Sequence, residues 1–180
     1  MTKRLLPTAA ALALLPSLAL AGERILLVKT LEDPRFPADP QVCANAGFTP
    51  VNVVLGASVW SLQTRASQGE VVNETVRRLG TATGCGKLTS IVPFTAGQLF
   101  LIQFDLEEGT YVATGTCDIV SFTVPAAGIL LAGCALKIVS GPPGVVGGIA
   151  TSASVFNPSS IPGFGTGSVW TLHVYTADEP

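Results

Sequence analysis

Short runs in which apolar and polar side chains alternate recur along the chain, and no long stretch shows helical periodicity. The clearest run is Gln98–Leu106, where Phe100, Ile102, Phe104 and Leu106 fall on one face. Because successive side chains of a strand point to opposite sides, this run predicts a strand with one apolar face. Comparable runs predict strands at residues 24–29, 51–66, 70–79, 81–91, 98–106, 110–124, 129–140, 147–156 and 168–176.

Turn-forming and helix-breaking residues separate these runs. Leu31–Pro50 contains four prolines and predicts an irregular loop with one short helical turn near Pro40–Ala44. Glu107-Glu108-Gly109 and Pro125–Gly128 predict hairpin turns. About eight strands in sequential hairpins predict an all-β fold class, a single antiparallel β-barrel over residues 22–180, because closure removes the exposed edges of a meander. A two-sheet β-sandwich is the alternative, and strand counting does not separate the two.

Residues 1–21 have the three parts of a secretory signal peptide. Lys3 and Arg4 form a basic start, Leu5–Leu18 is apolar, and Ala19-Leu20-Ala21 supplies the small residues of a cleavage site. The apolar run is shorter than the ~20 residues of a membrane-spanning helix. We therefore expect this segment to be removed, no membrane span to remain, and the mature protein to be secreted or periplasmic.

All four cysteines lie after that segment, and an even number in an exported chain predicts disulfides. No C-x-x-C pair typical of a zinc site is present. Cys117 and Cys134 stand eight residues on either side of Pro125-Ala126, so a hairpin places them on neighbouring strands, opposite or one register step apart. We predict a Cys117–Cys134 bond among the three possible pairings, which leaves Cys43–Cys85 by elimination. The second bond would hold the proline-rich loop against a later strand.

Charge and polar residues argue against several functions. The net charge is −2, and loss of Lys3 and Arg4 makes it more negative, so no basic surface for nucleic acid is expected. The chain has one histidine, His173, and no nucleophile motif, paired acids or metal-ligand spacing. No catalytic residue, cofactor or metal is therefore predicted. Asn73-Glu74-Thr75 matches a glycosylation acceptor, whose use depends on the host.

The C-terminal half resembles a known class of barrels. ATGTCDIV at 113–120 and LLAGCALKIVSGPPGVVGGIATSASVF at 130–156 read as strand, turn, long strand, glycine-rich loop and strand, and SVWTLHVY at 168–175 adds an aromatic final strand. This order resembles the closing half of the allene oxide cyclase and dirigent class of eight-stranded antiparallel barrels. Gly147-Gly148 echoes part of that class's Gly-Gly-x-Gly-x-Phe turn, whereas two disulfides are not a hallmark of it. The resemblance implies the barrel and carries over no catalytic residue.

Three functions are compatible with these features. We expect a non-enzymatic exported barrel that binds a small apolar ligand or a protein partner. The alternatives are an isomerase or cyclase of the resembled class, acting by pocket shape, and a structural component of an envelope or matrix. In an open barrel, the large rigid rings of Trp60, Phe104, Tyr111 and Trp170 would contribute to a ligand site. A solid lumen would favour the structural role, and the sequence does not predict an oligomeric state.

The export interpretation makes a direct prediction about the mature N-terminus. We expect the protein recovered from the secreted or periplasmic fraction to begin at Gly22, because small residues precede it. N-terminal sequencing checks this. Recovery of the protein with Met1 intact in the soluble cytoplasm would contradict it.

Overall fold

The computed structural model describes residues 22–33, 35–67, 70–90 and 96–177, without the side chains of 64–73. Eight strands form one closed antiparallel barrel, in which sequence neighbours pair and β1 pairs with β8. The all-β barrel predicted from the sequence is confirmed, and the sandwich alternative is not adopted. The elements are β1 (Gly22–Glu32), α1 (Pro40–Asn45), β2 (Val53–Ser67), β3 (Glu70–Lys87), β4 (Gln98–Leu106), β5 (Gly109–Ser121), β6 (Leu130–Ser140), β7 (Val145–Phe156) and β8 (Gly167–Thr176).

The two ends of the barrel differ in their connections. Because the strands alternate in direction, every second connection emerges at the same end. The connections of residues 33–52, 88–97, 122–129 and 157–166 emerge at one end, which we call the loop end. The short connections after β2, β4 and β6 emerge at the other, which we call the turn end. Long connections around one opening are where binding residues are usually found.

The apolar face predicted for β4 points into the barrel. Phe100, Ile102 and Phe104 belong to the main buried cluster, and Leu106 packs against it. On the other face, Leu99 is exposed, whereas Leu101 is buried in a second, smaller cluster with Cys43 and Cys85. Inward residues from all eight strands form one core, as alternation requires in a barrel of this size.

Leu101 is buried because the connection between β1 and β2 folds back over the outside of the barrel. The helix α1 starts at Pro40, and Asp39 caps it by accepting a hydrogen bond from the Gln41 backbone N–H at 2.9 Å. The Cys43–Cys85 disulfide, with an S–S distance of 2.06 Å, joins α1 to β3. This pairing confirms the bond predicted by elimination, together with the short helical turn in the proline-rich segment.

The connection between β1 and β2 packs so closely on the barrel that one position of β2 has to be glycine. Its backbone lies directly against Gly56 of β2, where an added Cβ would run into the Phe36 carbonyl oxygen and the Ala38 nitrogen. Two cation–π contacts add to this packing, with Arg78 over the Phe36 ring at 3.9 Å and Lys87 over the Phe48 ring at 4.5 Å. The loop is therefore a fixed outer layer on β2 and β3.

The second disulfide lies within the barrel wall. Cys117 of β5 and Cys134 of β6 are directly opposite each other, with Cα atoms 4.0 Å apart and an S–S distance of 2.01 Å. The predicted pairing is confirmed, and the register is the directly opposite one. Gly128, in the connection between these strands, has a φ of 87°, the left-handed conformation expected for it.

Strands β1 and β3 are longer than the sequence predicted. The runs 70–79 and 81–91 were predicted as separate strands, but β3 continues through Gly80 to Lys87. Gly80 lies within this strand. A Cβ at this position would collide with the Asp105 carbonyl oxygen of β4, so the close approach of β3 and β4 requires glycine here. β1 also extends beyond the predicted 24–29 and ends at Glu32, two residues into the segment assigned to the loop.

Some predictions fall outside the described residues. These are the signal peptide of residues 1–21 and the side chain of Asn73 in the possible glycosylation acceptor. In the part of the chain that is described, no helix has the length and apolar character needed to cross a membrane.

The two disulfides should contribute unequally to stability. Loop-closure entropy predicts that the Cys43–Cys85 bond, with a separation of 42 residues, stabilises the fold more than Cys117–Cys134, with a separation of 17. The expected losses on replacing each pair by serine are about 4 and about 3 kcal/mol. Denaturant unfolding of the two double variants beside the wild type measures both values, and the reverse order would contradict the prediction.

Candidate functional site

A cavity occupies the loop end of the barrel interior. Its volume is about 170 Å³, and its wall is almost wholly apolar. We call it the mouth cavity. It is lined by Thr30, Glu32, Val53, Leu55, Gly56, Ala57, Ala82, Gly84, Leu88, Phe100, Ile102, Cys117, Ile119, Leu130, Ala132, Cys134, Ser154, Phe156, Thr166, Gly167, Ser168 and Trp170.

The cavity exists because the inward side chains change size along the barrel. Toward the turn end the lumen is filled by large buried groups, among them Tyr111 and Leu136. At the loop end the inward positions include Ala57 and Ala132, which leave volume unfilled, whereas the Phe100 ring occupies the space beside Gly84. Close packing is the rule in protein interiors, so an apolar void of this size is unusual and is a candidate binding site.

Hydroxyl groups form one polar strip on the otherwise apolar wall. Thr30, Ser154 and Ser168 are buried, and each lines the cavity. The Thr30 hydroxyl donates to the Ser168 carbonyl oxygen at 3.4 Å, and the Ser154 hydroxyl lies 3.2 Å from the hydroxyl of Ser152. The hydroxyls of Thr30 and Ser154 already have partners, so they do not by themselves require a ligand.

Among the described residues that line the cavity, Glu32 carries the only charge. The alternation of β1 turns Leu26, Val28, Thr30 and Glu32 to the inside, which places the carboxylate at the mouth of the cavity. No hydrogen bond or ion pair of its carboxylate occurs with the part of the chain that the structure describes. Burial raises the pKa of Glu32, because partial removal from water disfavours its charged form. The sequence analysis missed this residue.

The four aromatic residues singled out from the sequence lie in different places. Trp170 is 3% exposed and lines the mouth cavity, while Phe104 packs edge-on against it with ring centroids 5.4 Å apart. Tyr111 is buried nearer the turn end, and Trp60 is half-buried outside the cavity lining, with its indole N–H donating to Ser58 at 3.0 Å. A role of any of them in ligand contact stays a prediction.

Trp170 also has a buried polar atom. Its indole N–H has no hydrogen-bond partner among the described residues. A buried donor without an acceptor destabilises a fold by about 1–3 kcal/mol. Two residues that border the cavity therefore carry a polar group without a partner among the described residues: Glu32, with its carboxylate, and Trp170, with its indole N–H.

A second pocket, which we call the base pocket, lies at the turn end and has a volume of about 240 Å³. Its charged groups are already paired: Arg77 binds Glu107 at 2.7 Å, and Arg24 binds Glu108 at 2.7 Å. It is lined by Leu26, Val28, Arg77, Leu79, Leu106, Glu107 and Glu108. Although this pocket is larger, its internal ion pairs leave no unmet charge for a ligand, and we favour the mouth cavity as the site.

The base pocket's charge network reaches into the core. The Tyr111 hydroxyl donates to the Glu108 carboxylate at 2.8 Å. Burial alone would raise the pKa of Glu108, but the hydrogen bonds from Arg24 and Tyr111 outweigh it and leave that pKa below its usual value. Burial and the adjacent carboxylate raise the pKa of Tyr111 to about 12. The network therefore stabilises ionised Glu108 and neutral Tyr111.

His173, the single histidine of the sequence, pairs with an acidic side chain. His173 lies with its Nδ1 atom 3.2 Å from a Glu23 carboxylate oxygen, and both side chains are about half exposed. Within residues 22–33, 35–67, 70–90 and 96–177, no group of three or more His, Cys, Asp or Glu side chains is placed to hold a metal ion. Comparison with known protein families, with curated proteins and with solved structures finds no match to this chain.

The Arg24–Glu108–Tyr111 network predicts a pH effect on stability. Since the folded state lowers the pKa of Glu108, its contribution is present above the carboxyl pKa of the unfolded chain and is lost as the pH falls through the folded pKa. We expect Glu108→Gln to destabilise the protein at neutral pH and to approach the wild type as the pH falls below the lowered pKa of folded Glu108.

Chemical unfolding of both proteins across this range checks the effect. Glu107→Gln serves as the control, because its ion pair with Arg77 is exposed on both sides and should contribute little. An unchanged difference between Glu108→Gln and wild type at all pH values would contradict the prediction.

Proposed function

We propose that this protein is an exported, disulfide-stabilised barrel that binds a small apolar molecule in the mouth cavity and carries out no chemistry on it. The observation that carries the proposal is an almost wholly apolar cavity of about 170 Å³ at the loop end of the lumen. Filling such a void removes the apolar surface of the ligand from water and restores lost packing contacts. The cavity favours a small ligand over a protein partner, which could not enter it.

The volume supports a ligand of restricted size. A cavity of about 150 Å³ lined by Leu, Ile and Phe side chains stays dry and takes up benzene. The mouth cavity is close to that size, whereas sites for drug-sized ligands have volumes of ~300–1,000 Å³. A single ring or a short chain fits inside, and a terpenoid or fatty acid would have to extend beyond the cavity at the loop end.

The two disulfides support the part of the proposal that places the protein outside the cytoplasm. Two disulfides and no free cysteine among the described residues are compatible with an oxidising environment outside the cytoplasm. Both bonds are associated with the loop end: one lies in the cavity wall, and the other attaches the outer loop to β3. They would preserve the shape of the mouth in a compartment that offers no reducing agents.

A second candidate is an isomerase or cyclase that acts by holding its substrate in a reactive shape. It is favoured by the closed eight-stranded barrel with a cavity at one end, which accords with the resemblance to the allene oxide cyclase and dirigent class. Glu32 is the one ionisable side chain in the lining on which such a reaction could draw. A purely structural role is less favoured, because a filled lumen would serve it better.

Filling the cavity should abolish ligand uptake. Ala132→Leu adds a branched side chain at a buried position of the lining, so we expect it to fold and to lose affinity for toluene. Binding can be followed by tryptophan fluorescence in a Trp60→Phe background, because Trp170 is then the only tryptophan and lines the cavity. A panel of toluene, a monoterpene and a fatty acid would define the size limit.

Ala135→Leu is the matched control. It lies on the same strand, β6, but its side chain is exposed and absent from the lining, so it should bind toluene like the wild type. Uptake by both variants with equal affinity would place the ligand elsewhere, and no uptake by the wild type of any member of the panel would refute the proposal.

A further inference from the structure

We propose that the ligand of the mouth cavity carries a cationic head group, an ammonium on a small apolar body, and that Glu32 binds this head at the entrance. The inference rests on the proposed function and specifies its ligand class. It follows from a charged side chain that stands alone at the rim of an apolar cavity.

The position of Glu32 is set by the strand that carries it. It is the last residue of β1 and continues the inward row begun by Leu26, Val28 and Thr30. Its backbone is held by pairing with Ala57 of β2, which also lines the cavity. Because the residue ends a paired strand, its backbone is held at the mouth, while its side chain remains accessible from solvent.

Asp33 differs from Glu32 in that its carboxylate is paired with an arginine. Asp33, the next residue, accepts hydrogen bonds from the Arg35 side chain at 2.9 and 2.7 Å, which lower the pKa of Asp33 to about 2. Glu32 has no such partner in the described chain, and Arg78, on β3, lies over the Phe36 ring. Arg35 and Arg78 therefore have other contacts, and the Glu32 carboxylate has no partner among the described residues, which leaves it for a group from outside.

The lining also decides between kinds of head group. No lysine or arginine is among the described residues that line the mouth cavity, so an anionic ligand would meet the repulsion of Glu32 there. A neutral hydroxyl could donate to the carboxylate, but a charge-assisted bond from an ammonium is stronger. Apolar pockets commonly orient their ligands with a few polar groups, and a single carboxylate at the rim would hold the head outward and the apolar body inside.

The test compares three probes of one ring size: benzylamine, benzyl alcohol and benzoate, with toluene as a fully apolar reference. Calorimetric titration of wild type and Glu32→Gln gives their affinities. We expect Glu32→Gln to weaken benzylamine binding about fivefold, the upper range for a solvent-accessible ion pair. Benzyl alcohol and toluene should bind both proteins alike, and benzoate should bind Glu32→Gln more tightly than wild type. Added salt should weaken only benzylamine binding to wild type.

Glu107→Gln controls for the change in net charge, because it removes the same charge at the turn end of the barrel. It should leave benzylamine affinity unchanged. Equal benzylamine affinity in wild type and Glu32→Gln, with toluene still bound, overturns the cationic head group and leaves the apolar cavity standing. Equal weakening by Glu32→Gln and Glu107→Gln overturns it also, since the effect would then be nonspecific. Absence of binding by all four probes overturns both proposals.

Discussion

The pairing of β1 with β8 is the interaction on which the rest of the structure depends. It extends from Gly22 opposite Thr176 to Leu31 opposite Gly167, almost the full length of both strands. Without it the eight strands would form an open sheet with two unpaired edges and no enclosed interior. With it they surround a lumen that, for eight strands, side chains can just fill or leave open for one small ligand. Which of these occurs is decided by the sizes of the inward residues.

Those sizes divide the lumen into two parts with different roles. Phe104, Tyr111 and Leu172 close the turn-end part with large buried groups, and this packing is what makes the barrel a stable core. Small residues such as Ala57 and Ala132 leave the loop-end part open. Since this void gives up packing energy, the loop end relies on other constraints. The Cys117–Cys134 bond in its wall and the outer loop held by the Cys43–Cys85 bond supply them.

The features that could be predicted from the sequence are those set by local periodicity or by symmetry about a turn. Alternation identified the strands and the inward face of β4, and the symmetric positions of Cys117 and Cys134 about a turn predicted their pairing. Periodicity says which side of a strand a residue faces, but not how deep in the barrel it lies. Hence Phe104 and Trp170 were grouped as possible ligand contacts, while of the two only Trp170 borders the cavity.

Other features depended on contacts that no local pattern reveals. Gly80 was interpreted as a break, although it serves a close approach between β3 and the Asp105 carbonyl of β4. The prolines after Leu31 similarly suggested that the loop begins there, so Glu32 was assigned to it. Pairing with Ala57 keeps Glu32 in β1 instead. This extension of β1 decides whether Glu32 belongs to a solvated loop or to the rim of the cavity.

The two ends of the barrel finally differ in how their charges are satisfied. At the turn end, Arg24 binds Glu108, which also accepts the Tyr111 hydroxyl, so the charges of the base pocket form a closed network. Such a network fixes the structure around it and has nothing further to offer a ligand. At the loop end, Glu32 borders an apolar void without a partner among the described residues. Volume and unmet charge therefore coincide only at the mouth cavity, although the base pocket is the larger of the two.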